Sequence, residues 1–325
     1  MRVLFAGSPA IAVPSLETLC SIPGIELAGV LTNPDSPKGR RGTSQPTEAG
    51  EAAARISQLF EKQGRAALPV LKPLKLDAHL REQVCALKPG LLVSFAYGRI
   101  FGPKFLALFP LGGINIHPSL LPKYRGPSPI QAAILNGDAV TGITVQALAR
   151  EMDSGDILAR EHFQLTGTET AGALGEIMAR KAAAMLPDVL KDIASGKACP
   201  SPQNHSEASY CSLISRADGL IDWNKGAAEI EARIRAFDPW PLCRTIHNGR
   251  ELLILKSAVY KSGQIREDGS EKPGLVLGTD RQSGILVRTG DGILAVTELQ
   301  YQAKKALLWR DFLNGVRDFT GSQLG

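Results

Sequence analysis

The feature that most constrains the fold is the run GLLVSFAYG, Gly90–Gly98, which is almost entirely apolar. A strand with hydrophobic side chains on both faces needs cover on both faces, which a parallel sheet flanked by helices provides. Apolar strand patterns alternate with helical patterns from Arg2 to GGINIHPS, Gly112–Ser119. This order predicts an α/β fold whose first domain contains a Rossmann-like open parallel sheet.

The length of the chain and a change in its pattern predict two domains. A chain of 325 residues is too long for a single compact core. Residues 197–208 are polar and contain prolines without periodicity, which indicates a linker. Short β-type runs separated by Gly-rich turns follow, as in an OB-like β-barrel. We therefore expect an α/β catalytic domain at 1–196, a linker at 197–208 and a β-barrel domain at 209–325.

Composition argues against several classes of protein. The first apolar run stops at Gly7, short of a signal peptide or of the roughly 20 residues of a membrane span, so we expect a cytoplasmic protein without a membrane partner. The five cysteines include no C-x-x-C pair, so we expect reduced, mostly buried thiols and no metal. The net charge of +5 permits a polyanionic partner without requiring one.

An amide and an imidazole, Asn115 and His117, lie two residues apart at the end of a predicted strand. The two-residue period of a strand places both side chains on one face, and open α/β sheets bind ligands beyond the carboxyl ends of their strands. Such a pair can hold an oxyanion and move a proton. A histidine satisfied by the backbone is the alternative, which the neighbouring amide and the strand end make less favourable.

A third group is needed to orient or charge His117, and the turn MDSGD offers Asp153 and Asp156. A carboxylate near the imidazole would raise the histidine pKa. Asp and Gly also favour turns for purely local reasons, so both interpretations stay open. The sequence lacks G-x-S-x-G and G-x-G-x-x-G, which argues against a serine nucleophile and against NAD. Direct attack of one bound substrate on another remains.

The run INIHPSLLPKYRG, Ile114–Gly126, followed by MDSGD, Met152–Asp156, resembles the folate-dependent formyltransferases. The resemblance extends to VSFAYGRI, to IDWNKGAAEIEARIRAFDPWP and to GDGILAVTELQYQAKKALLWRDFLNG, and so covers essentially the whole chain. The C-terminal features are similar to the branch that formylates methionyl-tRNA. The resemblance implies that a formyl group moves from 10-formyltetrahydrofolate to the α-amino group of methionine on initiator methionyl-tRNA, for translation initiation.

The resemblance also implies roles for particular residues. Asn115 and His117 would hold the developing oxyanion, while Asp153 would orient His117 and help to take the amine proton. The folate-binding residues would be Phe95, Ala96, Tyr97, Gly98, Ser119, Leu120, Leu121 and Pro122. The tRNA-binding residues would be Lys38, Arg40 and Arg41 in a basic loop, and Lys304 and Lys305 near the C-terminus. We expect a monomer.

Three other functions stay open at this point. The same catalytic core could formylate a small amine, such as a nucleotide sugar or a glycinamide nucleotide. A hydrolase of 10-formyltetrahydrofolate would additionally need a positioned water. A non-catalytic RNA- or folate-binding protein would not need an amide, an imidazole and a carboxylate together.

Overall fold

The structure is a computed structural model that describes residues 1–38, 42–261 and 272–325. The chain folds into two compact units. The first comprises Met1–Pro129, Val140–Gln164 and Gly175–Ser212, and the second comprises Ile130–Ala139, Leu165–Leu174 and Leu213–Gly325. The domain boundaries that we expect from the sequence stay a prediction.

A seven-stranded sheet, in the order β5-β2-β1-β6-β7-β8-β9, forms the centre of the first unit. The strands up to residue 164 are β1 Arg2–Gly7, β2 Glu26–Leu31, β3 Ser36–Lys38, β4 Thr43–Gln45, β5 Val70–Leu71, β6 Leu91–Phe95, β7 Gly113–His117, β8 Val140–Ala147 and β9 Ile157–Gln164. β3 and β4 pair separately with each other. The predicted α/β fold class with a Rossmann-like sheet is confirmed.

One edge of this sheet is antiparallel, which the sequence pattern did not indicate. Five neighbouring strands of the sheet are parallel, namely β5, β2, β1, β6 and β7. β8 runs antiparallel to β7, and β9 runs antiparallel to β8. Residues 148–156 join β8 to β9 without a crossover helix, and such a connection suits only antiparallel neighbours. From Ala159 onward β9 alternates half-buried and exposed positions because it lies at the edge of the sheet.

The apolar strands β1 and β6 form the core of the first unit, and Leu4 and Leu92 are fully buried. The helices of the chain are α1 Val13–Leu19, α2 Glu48–Lys62, α3 Ala78–Ala86, α4 Pro103–Leu106, α5 Pro129–Leu135, α6 Ala171–Ala194, α7 Ala227–Ala236 and α8 Trp309–Gly315. α2 begins where the Thr47 side chain accepts a hydrogen bond from an early backbone N–H, and α3 begins in the same way at Asp77.

The second unit contains a separate antiparallel sheet in the order β10-β11-β14-β13-β12, with β15 paired to β14. Its strands are β10 Cys243–His247, β11 Arg250–Val259, β12 Val276–Asp280, β13 Gly284–Arg288, β14 Ile293–Tyr301 and β15 Leu307–Leu308. The side chains of Leu252, Ile254 and Leu294 are buried here. The predicted run of short strands with Gly-containing turns is confirmed as this sheet.

The cysteines are free thiols, as expected, but they are not mostly buried. Cys243 is buried, whereas Cys85 and Cys199 are exposed, because one lies on the solvent side of α3 and the other lies in the irregular segment after α6. Burial raises the pKa of the Cys243 thiol to about 12. Within the described ranges, no helix has the length and apolar character needed to cross a membrane.

We predict that Leu92→Ala lowers the free energy of unfolding by about 2–5 kcal/mol, because it leaves a cavity in the central strand. Leu74→Ala is the matched control, since the Leu74 side chain is 81% exposed. Urea denaturation followed by circular dichroism measures both changes. Equal effects of the two substitutions would contradict the burial of β6.

Candidate active site

Strand pairing brings Asn115 and His117 to one face of the sheet. β7 lies between β6 and β8, and its register pairs Asn115 with Gln146 and His117 with Thr144. Residues directly opposite each other on neighbouring strands present their side chains to the same face. One face therefore carries the predicted amide and imidazole together with the Gln146 amide, at the carboxyl end of β7.

The turn after β8 places Asp153 against this face. A Cβ at Gly155 would lie 1.8 Å from the carbonyl oxygen of Ala147, so the turn closes only with glycine at this position. Asp153 has a φ of 52°, in the left-handed region that aspartate tolerates better than most residues. Asp156 is exposed, and its carbonyl accepts a hydrogen bond from the Ala147 N–H. Of the two carboxylates in MDSGD, Asp153 is therefore the one that faces the site.

Both oxygens of the Asp153 carboxylate have partners. Oδ1 accepts hydrogen bonds from the Gln146 side chain at 2.8 Å and from the Asn115 Nδ2 at 3.4 Å. Oδ2 accepts the backbone N–H of Gly126 at 2.9 Å and lies 3.6 Å from His117 Nδ1. The predicted Asn115, His117 and Asp153 thus meet at one point.

His117 is only 4% exposed, and its Nε2 lies 2.8 Å from the carbonyl oxygen of Tyr124. A carbonyl only accepts, so this bond assigns a proton to Nε2. Nδ1 then faces the Asp153 carboxylate, and a second proton on the ring would lie between them. Burial lowers the pKa of His117, while the Asp153 charge and the Tyr124 carbonyl oppose that shift. The neutral ring with its proton on Nε2 is therefore favoured, and the Asp153 carboxylate is the group that can stabilise a second proton on Nδ1.

The proline-containing loop after β7 is fixed against β8. The Thr144 hydroxyl donates to the Ser119 carbonyl at 2.7 Å and accepts the Leu121 N–H at 3.1 Å. The side chains of Ser119, Leu121 and Pro122 are buried, while Leu120 is half-buried. These contacts hold the loop in one conformation beside the catalytic face.

The end of β6 alternates buried and exposed residues. Phe95 and Tyr97 are buried, and the Tyr97 ring stacks on Phe101 with ring centroids 5.4 Å apart. Ala96 and Gly98 are exposed and have φ values of 50° and 80°. The two aromatic side chains therefore pack in the interior at the end of β6, while Ala96 and Gly98 lie on the surface there. The folate-binding roles of these residues and of the proline loop stay predictions.

The predicted tRNA-binding residues lie at two separate places in the chain. Lys38 ends the short strand β3, whereas Arg40 and Arg41 lie outside the described residues. Lys304 and Lys305 are exposed in the connection between β14 and β15. Their roles also stay predictions.

Two residues of the site, Gln146 and Gln203, escape the sequence analysis. Gln146 carries a detectable signal, since a large amide in the otherwise apolar strand GITVQAL needs a buried partner. Gln203 carries none, because it lies in a polar segment with the composition of a linker. In the structure its side chain is buried and donates to the Asp153 carbonyl at 2.9 Å.

The chain matches two family models, one for formyl transferase over residues 1–190 and one for the formyl transferase C-terminal domain over residues 213–317. It is 49% identical over 321 residues to the methionyl-tRNA formyltransferase of Treponema denticola, covering 98% of each chain. It is 44% identical to that of Treponema pallidum, covering 97% of this chain and 96% of the relative. The chain belongs to the formyltransferase family, and within it to the methionyl-tRNA formyltransferases. The resemblance noted from the sequence is confirmed.

Solved structures share the fold at lower identity. An N-formyltransferase from Helicobacter canadensis, in complex with folinic acid and dTDP-3-aminofucose, matches with a TM-score of 0.62 at 22% identity, covering 91% of this chain and 99% of that one. HypX from Aquifex aeolicus, in complex with tetrahydrofolic acid, matches with a TM-score of 0.62 at 17% identity. That match covers 98% of this chain and 48% of HypX. At these identities the two matches support the overall fold described above.

Metal-binding side chains do not cluster among the described residues of this formyltransferase. In the parts of the chain that the structure describes, no group of three or more His, Cys, Asp or Glu residues is placed to hold an ion.

We predict that Asp153→Asn lowers the pKa of His117 further, because it removes the negative charge that opposes the effect of burial. NMR titration of the His117 imidazole measures the change. Asp188→Asn, on the exposed side of α6, is the control and should leave the titration curve unchanged. A curve for Asp153→Asn that overlays the wild-type curve would contradict the pairing of these two side chains.

Proposed function

We propose that this protein transfers the formyl group of 10-formyltetrahydrofolate to the α-amino group of methionine on initiator methionyl-tRNA. The observation that supports formyl-transfer chemistry is that the side chains of Asn115, His117 and Asp153 meet at one point. Membership of the methionyl-tRNA formyltransferases along almost the full chain supports the identity of the acceptor. A folate donor agrees with the tetrahydrofolate named for a protein of the same fold.

The geometry supports a direct transfer between two bound substrates. The amine nitrogen attacks the formyl carbon, and the carbonyl oxygen gains negative charge. The Asn115 amide can donate a hydrogen bond to this oxygen, and the positive charge of a His117 ring that gains a second proton can stabilise it, which lowers the energy of the transition state. The amine loses a proton as the new C–N bond forms, and N10 of the folate gains one as the old C–N bond breaks.

Asp153 has two tasks in this scheme. Its Oδ2 faces Nδ1 of His117 and stabilises the protonated ring, which the Tyr124 carbonyl holds from the other side. The carboxylate can also accept the proton that the attacking amine loses. We assign the stabilisation of the oxyanion to Asn115 and His117, and the role of orienting group and proton acceptor to Asp153.

We propose that the folate lies along the end of β6 and the proline loop, at Phe95–Gly98 and Ser119–Pro122. Lys38, Arg40, Arg41, Lys304 and Lys305 are proposed to contact the tRNA backbone, because cations neutralise phosphates without reading the bases. We further propose that the protein acts as a monomer in the cytoplasm, without a membrane partner or a metal.

We predict that the purified protein formylates charged initiator methionyl-tRNA in the presence of 10-formyltetrahydrofolate, and acts poorly on charged elongator methionyl-tRNA and on free methionine. Formyl transfer needs only an amine as the acceptor, so the molecule that carries this amine distinguishes one formyltransferase from another. Radiolabelled formyl transfer measures all three reactions under identical conditions. Transfer to a nucleotide-sugar amine, without transfer to the initiator tRNA, would reject the proposed acceptor and keep the formyltransferase.

We predict that Asp153→Asn lowers kcat by about 10²- to 10⁴-fold, the usual range for loss of a proton-transfer group. Folate binding, followed by fluorescence quenching, should stay close to that of the wild type, since the carboxylate acts on the reacting atoms. Asp156→Asn is the matched control, because Asp156 lies in the same turn and is exposed. Unchanged turnover in Asp153→Asn would remove Asp153 from the mechanism, and equal losses in both variants would indicate a distorted turn.

A further inference from the structure

Two buried glutamines connect Asp153 to a buried arginine. The Nε2 of Gln146 donates to Asp153 Oδ1 at 2.8 Å, and its Oε1 accepts a hydrogen bond from Gln203 at 3.2 Å. Gln203 Nε2 also donates to the carbonyl oxygens of Asp153 at 2.9 Å and Gly155 at 2.7 Å. Gln146 thus holds the carboxylate of Asp153, and Gln203 holds its backbone.

Arg125 fixes the other end of this network. Its side chain is buried, and its Nη2 and Nε donate to Gln203 Oε1 at 2.7 Å and 3.2 Å. The same guanidinium donates to His205 Nδ1 at 3.0 Å and to the Tyr210 hydroxyl at 3.3 Å. Among the residues that the structure describes, no carboxylate forms an ion pair with Arg125. The cation is therefore stabilised by uncharged acceptors, and Gln203 provides two of these hydrogen bonds.

The order of donors and acceptors gives this network a direction. A guanidinium can only donate, so Gln203 must turn its Oε1 toward Arg125 and its Nε2 toward the Asp153 turn. The Gln203 Nε2 donates, so the Gln146 atom that faces it is the acceptor Oε1. The Gln146 Nε2 then faces the Asp153 carboxylate, which only accepts. Neither amide can rotate by half a turn without placing like groups against each other. Arg125 thereby sets the orientation of both glutamines.

We propose that Arg125, Gln203 and Gln146 are positioning residues that hold the Asp153 carboxylate at its working angle to Asn115 and His117. This inference rests on the proposed function and deepens it. None of the three is assigned a contact with substrate. Their role is to keep a carboxylate on a nine-residue connection as well ordered as the strand residues that it faces.

The geometry explains why Asp153 needs this support. Residues 148–156 lie outside the strands, and Asp153 itself has a left-handed backbone conformation. Asn115 and His117 contact its carboxylate only at 3.4 Å and 3.6 Å, beyond the distances of strong hydrogen bonds. The short bonds to the carboxylate come from Gln146 and from the Gly126 backbone. Gln146 is therefore the side chain on which its position mainly depends.

The test compares Gln146→Leu with Gln146→Glu in the full-length protein. We expect Gln146→Leu to lower kcat by about 10- to 100-fold at every pH, because it removes a hydrogen bond to a charged group without a substitute. The KM for both substrates should change by less than about twofold. Gln146→Glu should show a similar loss at high pH and regain activity relative to wild type as the pH falls, since a protonated Glu donates as Gln does. A purely structural role would not produce this difference.

A second measurement does not depend on the acceptor. The pKa of His117, followed by NMR, should rise in Gln146→Leu, because a carboxylate with one donor fewer attracts the imidazolium proton more strongly. It should rise further in Gln146→Glu, which adds a negative charge. Gln58→Leu and Gln58→Glu, on the exposed face of α2, are the matched controls and should change neither activity nor titration.

The outcomes separate this inference from the proposed function. A wild-type protein that formylates no methionyl-tRNA overturns the function, while the His117 titration still decides whether Gln146 positions Asp153. Wild-type activity with an unchanged kcat and an unchanged His117 titration in Gln146→Leu overturns the positioning role alone. The positioning role is also overturned if Gln146→Leu and Gln146→Glu lose activity identically at all pH values and only their melting temperatures fall.

Discussion

The Asp153 carboxylate is the group on which the arrangement of the site depends. It joins the end of β7, the glycine after the proline loop and the strand β8 through bonds to Asn115, Gly126 and Gln146. These segments are separated along the chain and meet only because one small acceptor has room for several donors. Without the carboxylate the donors would face each other across a buried space, which is costly for polar groups.

The sheet makes this meeting possible. β7 takes its position from a parallel neighbour, β6, and an antiparallel one, β8, so two different kinds of pairing fix the register of Asn115 and His117. The parallel half supplies a strand end open to substrates. The antiparallel strand β8 ends beside the start of β7, and the connection that follows places Asp153 against Asn115 and His117. A sheet with only crossover connections would not bring a carboxylate back from the next strand by so short a path.

Much of the fold was predictable because the signals were local. The apolar run of β6, the caps of α2 and α3 and the Gly-containing turns of the second sheet depend on residues close together in the sequence. The antiparallel edge was not predictable, because β9 reads ILAREHFQ, whose mixed polarity gives no sign of its partner. The exposure of Cys85 and Cys199 was missed for a similar reason, since residue type alone says neither which side of a helix faces solvent nor how exposed an irregular segment is.

The sequence by itself determined the chemical groups and the family, through the N-x-H spacing, the later D-x-G-D and the similarity along the whole chain. It also determined that Asn115 and His117 share a face, because strand period is a local property. Only the tertiary structure decided that Asp153 and not Asp156 faces them, and that Arg125, Gln203 and Gln146 hold it. The reason is that hydrogen bonds between distant segments depend on register, turn geometry and burial, which no single stretch of the sequence contains.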